Sequence, residues 1–148
     1  MRLLDVVTIG CVGLLIGTEL TVSAFINPIV WKLDGSAQIS AIRMFAKRLG
    51  AVMPFWYVAC LVLLIVETIV RRAQVSMALL VAASCIWVAV IGFTLLFLVP
   101  INNGLARMSP NSVAETARFQ HRKWDRMHRY RVAALGTAML CLLIAISS

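Results

Sequence analysis

Residues 121–146 read HRKWDRMHRYRVAALGTAMLCLLIAI. At helical spacing His121, Trp124, His128, Arg131 and Leu135 share one face with Ala117, while Arg122, Lys123, Arg126, Arg129 and Tyr130 occupy the others. The apolar half, Val132–Ile146, rises only about 22 Å at 1.5 Å per residue, short of the roughly 30 Å of hydrocarbon in a bilayer. Counting back about 20 residues from Ser147 reaches His128, so the spacing predicts that His128 and Arg131 are drawn to the membrane boundary or below it. Upstream, Pro110 stops any earlier helix, and Ser112-Val113-Ala114-Glu115 reads as a capping box with Ser112 as N-cap. No later proline interrupts the chain. One long helix, with Gly136 as the place where it could bend, is expected to run from loop 3 into the last span.

The rest of the chain sets the class. It has 148 residues, 61% of them hydrophobic and 14% charged, and a mean hydropathy of +0.93, which excludes an ordinary soluble domain. The apolar residues come in long blocks without the alternation of strands or the polar face of a surface helix. Leu3–Ile26, Ala51–Val70 and Val75–Val99 are three such blocks, and the stretch from His128 to Ser147 makes the fourth. The expected fold is a single all-α integral membrane domain, residues 1–148, forming a transmembrane four-helix bundle with spans at about 3–26, 51–70, 75–99 and 128–147. Arg2 and Val22-Ser23-Ala24 imitate a secretory signal and its cleavage site, but the apolar run is too long and contains Glu19, so it is read as a span. Cys11, Cys60, Cys85 and Cys141 lie within spans, never as Cys-x-x-Cys, and are expected to be small buried apolar residues.

The net charge of +8 is lopsided. Loop 1 carries Lys32, Arg43, Lys47 and Arg48, and loop 3 carries Arg107, Arg118, Arg122, Lys123, Arg126, Arg129 and Arg131; the other side has only Arg2, Arg71 and Arg72. The positive-inside rule puts loops 1 and 3 in the cytoplasm and both termini outside, in the plasma (inner) membrane if the cell is bacterial. Adjacent anionic headgroups, rather than nucleic acid, account for such charge. Within loop 1, Ser36–Leu49 places Ile39, Ile42, Phe45, Ala46 and Leu49 on one side, the pattern of an amphipathic helix lying in the interface. Met53-Pro54 then opens span 2 at a position where proline is tolerated. Glu67 and Arg71, four apart at its end, read as an interfacial ion pair. In span 1, Gly13 and Gly17 share a small-residue stripe with Gly10, Thr21 and Ala24, which suits close packing or a homo-oligomer. Glu19, with Thr8, Leu15 and Val22, points nearly the opposite way.

Parity joins these pieces. Loops 1 and 3 share a side, so the end of span 1, the end of span 3 and the start of span 4 lie at one membrane face. Glu19, Asn102, Asn103, Trp124, His128 and Arg131 are therefore expected around one pocket near that face. The alternative is a Glu19–Arg131 ion pair that only fixes helix register.

The chain resembles the anthrone oxygenase-like family of small four-span membrane proteins. The resemblance rests on Asn27-Pro28, Met53-Pro54, Val99-Pro100-Ile101-Asn102-Asn103 and Trp124-x-x-x-His128-x-x-Arg131, in order along nearly the whole chain. It implies oxidation of a hydrophobic, anthrone-like aromatic substrate by O2. Chemically, His128 or Glu19 could take a proton, Arg131, Asn102 and Asn103 could hold the developing oxyanion, and Trp124, with Asn27, could contact a flat ring system. No metal site is assigned and O2 is the only co-substrate. A second reading makes the histidines ligands. His121 and His128 are about 10.5 Å apart along one helix and cannot bind one metal together, but either could ligate haem or a transition metal with help from Glu19 or another subunit. A third is a non-enzymatic binding or transport subunit, for which no inverted repeat is evident.

Overall fold

With no water in hydrocarbon to satisfy peptide groups, long apolar runs have one economical solution, the α-helix. A computed structural model describes residues 2–73, 76–109 and 114–147. Helix α1 (Leu3–Thr21) passes through a π turn (Val22–Ile26) into the short α2 (Asn27–Val30), and a turn leads to α3 (Gly35–Val70). Helix α4 (Met77–Phe93) passes through a second π turn (Thr94–Leu98) into α5 (Val99–Arg107), and α6 (Ala114–Ser147) ends the chain. Four stretches, Leu3–Val30, Gly35–Val70, Met77–Arg107 and Glu115–Ser147, are long and apolar enough to cross a membrane. There is no strand among the described residues. The molecule is a multi-pass, all-helical membrane protein.

Its two halves repeat. The π turns lie 72 residues apart, and so do Pro28 and Pro100. Each π turn closes with an i→i+5 bond, Asn27 N–H to Val22 O in the first and Val99 N–H to Thr94 O in the second. The next residue is a proline in both cases, and its missing N–H ends the wide ladder there. The long second helices also correspond. Buried Tyr57, Cys60, Leu64 and Glu67 of α3 recur 78 residues later as buried Leu135, Ala138, Leu142 and Ala145 of α6. The chain is thus two helical hairpins of the same design, set in the same orientation.

The core lies between the membrane faces. Val12, Leu15, Leu64, Leu80, Trp87, Leu135 and Leu142 fill it. Indole N–H groups find backbone carbonyls: Trp87 Nε1 donates to Tyr57 O at 3.0 Å and Trp56 Nε1 to Cys11 O at 3.2 Å, tying α3 to α4 and to α1. In α1 the buried side is the one that carries Thr8, Leu15, Glu19 and Val22. Gly13 of the small-residue stripe meets Met139 within the subunit at an ordinary van der Waals distance, whereas Gly10, Gly17, Thr21 and Ala24 are exposed.

Several expectations need correction. The loop 1 segment is no separate interfacial helix. Residues 35–70 form one unbroken helix, because Ile39, Ile42 and Ala46 bury against the protein rather than against headgroups, and Gln38 Nε2 donates to Val30 O at 3.0 Å. Pro54 accordingly sits inside α3 instead of opening it. Its ring faces the carbonyl of Gly50, four residues back. The Glu67–Arg71 pair is buried and larger than expected. Arg71 Nη2 donates to Asp5 Oδ1 at 3.0 Å and its Nε lies 3.5 Å from Glu67 Oε2, while Thr8 Oγ1 donates to Glu67 Oε1 at 3.2 Å. Span 1 crosses beside this pair and supplies Asp5 and Thr8, which removes water from it. Cys60 is buried and its Sγ lies 3.6 Å from that of Cys11, but Cys85 is exposed on the outer side of α4. The capping residue Ser112 and the expected first residue of span 3, Val75, lie outside the described residues.

Candidate functional site

At the end of the bundle shared by loops 1 and 3, the helices enclose a cavity of about 340 Å³, toward the lower end of the roughly 300–1,000 Å³ usual for small-molecule sites. Most of its wall is aliphatic. The polar exception is a cluster built by α1, α3 and α6. Glu19, 2% exposed, accepts from Arg131 Nη2 at 2.6 Å through Oε2 and from the Tyr57 hydroxyl at 2.9 Å through Oε1. The guanidinium of Arg131 also sits over the Tyr57 ring, 5.5 Å from its centre, and reaches Thr94 Oγ1 of the second π turn at 3.5 Å. Its buried Nε–H has no hydrogen-bond partner among the described residues.

The partners of His128 set its tautomer. Nε2 lies 3.1 Å from the backbone carbonyl of Glu19, which can only accept, so Nε2 carries the hydrogen. Nδ1 lies 3.0 Å from Arg131 Nη2, which can only donate, so Nδ1 accepts. Glu19 Oε2 is 3.2 Å from the same Nδ1. A proton gained by Glu19 therefore has a second basic atom within reach.

The expected ion pair and the expected pocket are both present, and the first is a wall of the second. Glu19, Asn102, Asn103, Trp124, His128 and Arg131 all line the cavity. Trp124 stacks on His128 at 4.7 Å, with planes 11° apart, and on His121 at 6.0 Å on the other side. Asn102 is partly committed, since its Nδ2 donates to Ala46 O at 2.9 Å. That contact explains Gly50, where any Cβ would stand 2.6 Å from Asn102 Nδ2. Asn27 and His121 are not brought to the cavity. They border a smaller space of about 30 Å³ behind Trp124. There Asn27 Nδ2 donates to Asp125 Oδ1, Asp125 Oδ2 accepts from Arg129 at 2.9 Å, and His121 packs on Trp31 at 4.9 Å. Among the described residues no three His, Cys, Asp or Glu side chains converge as a metal-ligating group.

Sequence reasoning missed Tyr57, Thr94 and Asp125. A tyrosine deep in an apolar helix, away from the belt where tyrosines gather, is a usable signal for the first. Asp125, four residues after His121 and three before His128, is the acid on the same face of α6. Thr94 carries no such signal.

The internal repeat sorts the lining residues into two walls. Glu19 has Ile91 as its counterpart 72 residues on, and Val22 has Thr94; His128 has Gly50 and Arg131 has Met53, each 78 residues back. All eight line the cavity. The wall from α1 and α6 bears the charges, and the wall from α3 and α4 is mostly aliphatic.

A family model described as Anthrone oxygenase matches residues 42–141, more than half of the chain. No curated protein and no solved structure gives a significant match.

Proposed function

The chain belongs to the anthrone oxygenase family, and we propose that it oxidises the activated methylene of a flat, lipophilic, anthrone-like ketone to a carbonyl with O2. The observation that carries this reading is the Glu19–Arg131–His128–Tyr57 cluster bordering a mostly aliphatic cavity. Such a cavity suits both an apolar polycycle and O2, and the cluster supplies a base beside a fixed cation.

In the proposed sequence Glu19 removes one methylene proton, with His128 Nδ1 as the neighbouring acceptor, and the ring ketone becomes an oxyanion. Arg131 and the amides of Asn102 and Asn103 stabilise that charge. Trp124 offers a face for the ring system. The carbanionic carbon bonds to O2, and the resulting peroxide recovers the first proton. Loss of the second C–H proton breaks the O–O bond, leaving the carbonyl and hydroxide, which leaves as water. The substrate gives up four electrons and O2 takes four, so no external reductant is required. Loops 1 and 3, with their exposed Arg122, Lys123, Arg126 and Arg129, lie on the cytoplasmic side in this reading.

The test is direct. The reconstituted full chain, given anthrone and O2, should form anthraquinone with one O2 consumed per quinone. Glu19→Gln, which keeps a hydrogen-bonding group for Tyr57, should lower the rate by about 10²–10⁴, the usual contribution of a positioned base. Quinone formation no faster than in empty vesicles would reject the assignment.

A further inference from the structure

The cavity is closed toward the core, and its exposed lining residues are Gly50 and Asn103 at the loop end and Pro54, Val58 and Leu95 deeper in the spans. On the loop side Asn102 Nδ2 is fastened to Ala46 O at 2.9 Å, with Gly50 pressed against the same amide. On the core side Trp87 Nε1 is fastened to Tyr57 O at 3.0 Å. Between these two clasps α3 runs from Ala46 to Tyr57, about 16 Å at 1.5 Å per residue. The facing strip of the bundle runs from Trp87 to Asn102 and contains the second π turn, and Pro54 lies within α3 between the two clasps.

Three of the residues that line the cavity along this strip also face outward. Val58 is 55% exposed and Leu95 is 60% exposed, and Pro54 is exposed as well. On the opposite wall the lining residues Glu19, Val22, His128 and Arg131 are all buried. Val58 lies seven residues into the apolar stretch that begins at Ala51, about 10 Å below its edge, so the gap opens onto acyl chains and not onto water.

We infer that a lipophilic aromatic ligand reaches the cavity sideways out of the bilayer, through a window framed by Pro54 and Val58 of α3 and Leu95 and Val99 of the second π turn and α5. The inference rests on the cavity being the substrate site. The window is in the aliphatic wall, so a flat ligand sliding through it arrives with its leading edge at Glu19 and Arg131. Val58 and Leu95 are then the residues that set the width of what is admitted.

The test uses full-length protein in vesicles with anthrone dissolved in the bilayer. Val58→Phe/Leu95→Phe should lower kcat/KM about tenfold while leaving kcat within about twofold, and Val58→Phe alone should fall between. Val62→Phe/Leu96→Phe, at exposed positions of the same elements that do not line the cavity, should stay within about twofold in both constants. An unchanged kcat/KM in the filled variants overturns the window. A second readout needs no turnover. In vesicles of phosphatidylcholine brominated at acyl carbons 6 and 7, the fluorescence quenching that disappears in Trp124→Phe reports lipid reaching the cavity. Filling the window should relieve that part of the quenching, and equal quenching with and without filling overturns the proposal. A wild-type chain inert toward anthrone would reject the oxygenase reading alone, with the bromine measurement still deciding the window.

Discussion

Two ionic clusters are buried in this bundle, near opposite membrane faces, and they are built from nearly the same parts. One joins Glu19, Arg131 and the Tyr57 hydroxyl; the other joins Asp5 and Glu67 to Arg71 and the Thr8 hydroxyl. Both are almost wholly withdrawn from solvent. They differ in what lies beside them. The first borders the 340 Å³ cavity and adds an imidazole, whereas none of the four residues of the second lines a described cavity. Burial of charge in a membrane helix therefore does not by itself mark a site. Space beside the charge, and a titratable neighbour, make the distinction.

Removing the cation from each cluster sharpens the contrast most. Arg131→Met and Arg71→Met should each cost about 3–5 kcal/mol, the price of a buried carboxylate left without its partner, read as a lower midpoint of thermal unfolding in detergent. Turnover per folded molecule should collapse in Arg131→Met and stay unchanged in Arg71→Met. Loss of turnover in folded Arg71→Met protein would break the comparison. Next in size is Tyr57→Phe, which deletes one hydrogen bond to the Glu19 carboxylate. Such bonds contribute about 1.5–3 kcal/mol, so a loss of about tenfold or more in kcat is expected in initial-rate assays. Thr8→Val removes the equivalent hydroxyl from the closed cluster and should cost about 1.5–3 kcal/mol in unfolding free energy with no change in kcat. The smallest effect belongs to Arg129→Ala. Its side chain is 61% exposed and Asp125 keeps its bond from Asn27 Nδ2, so losing the pair should shift stability by about 1 kcal/mol or less and leave turnover untouched.

Much of this was legible from residue order. The four spans follow from apolar runs that no soluble fold would bury, and the shortness of Val132–Ile146 alone required His128 and Arg131 to sit low. Parity then brought Glu19 to the same end. What escaped was structure that leaves no periodic trace. A π turn inserts one residue into a ladder without changing composition, so neither wide turn shows in the apolar pattern, although the prolines that end them stand in plain view. Glu67 and Arg71 look interfacial because they lie near a span end; only the packing of α1 against α3 shows that Asp5 faces them. Asn102 looked free for chemistry, but a backbone carbonyl across the groove holds one side of its amide. Side-chain hydroxyls such as Thr94 gain their role from distance alone.

The doubled hairpin also bears on how such a protein can diversify. The acid, the imidazole and the guanidinium all belong to one wall, and their counterparts Ile91, Gly50 and Met53 carry no charge. Substitutions along α3 and the second π turn can therefore remould the cavity while the reactive groups keep their places. In evolutionary terms the division of labour runs inside each copy. One helix of each hairpin is held fixed by proton chemistry, and the other is free to drift toward new ligand shapes.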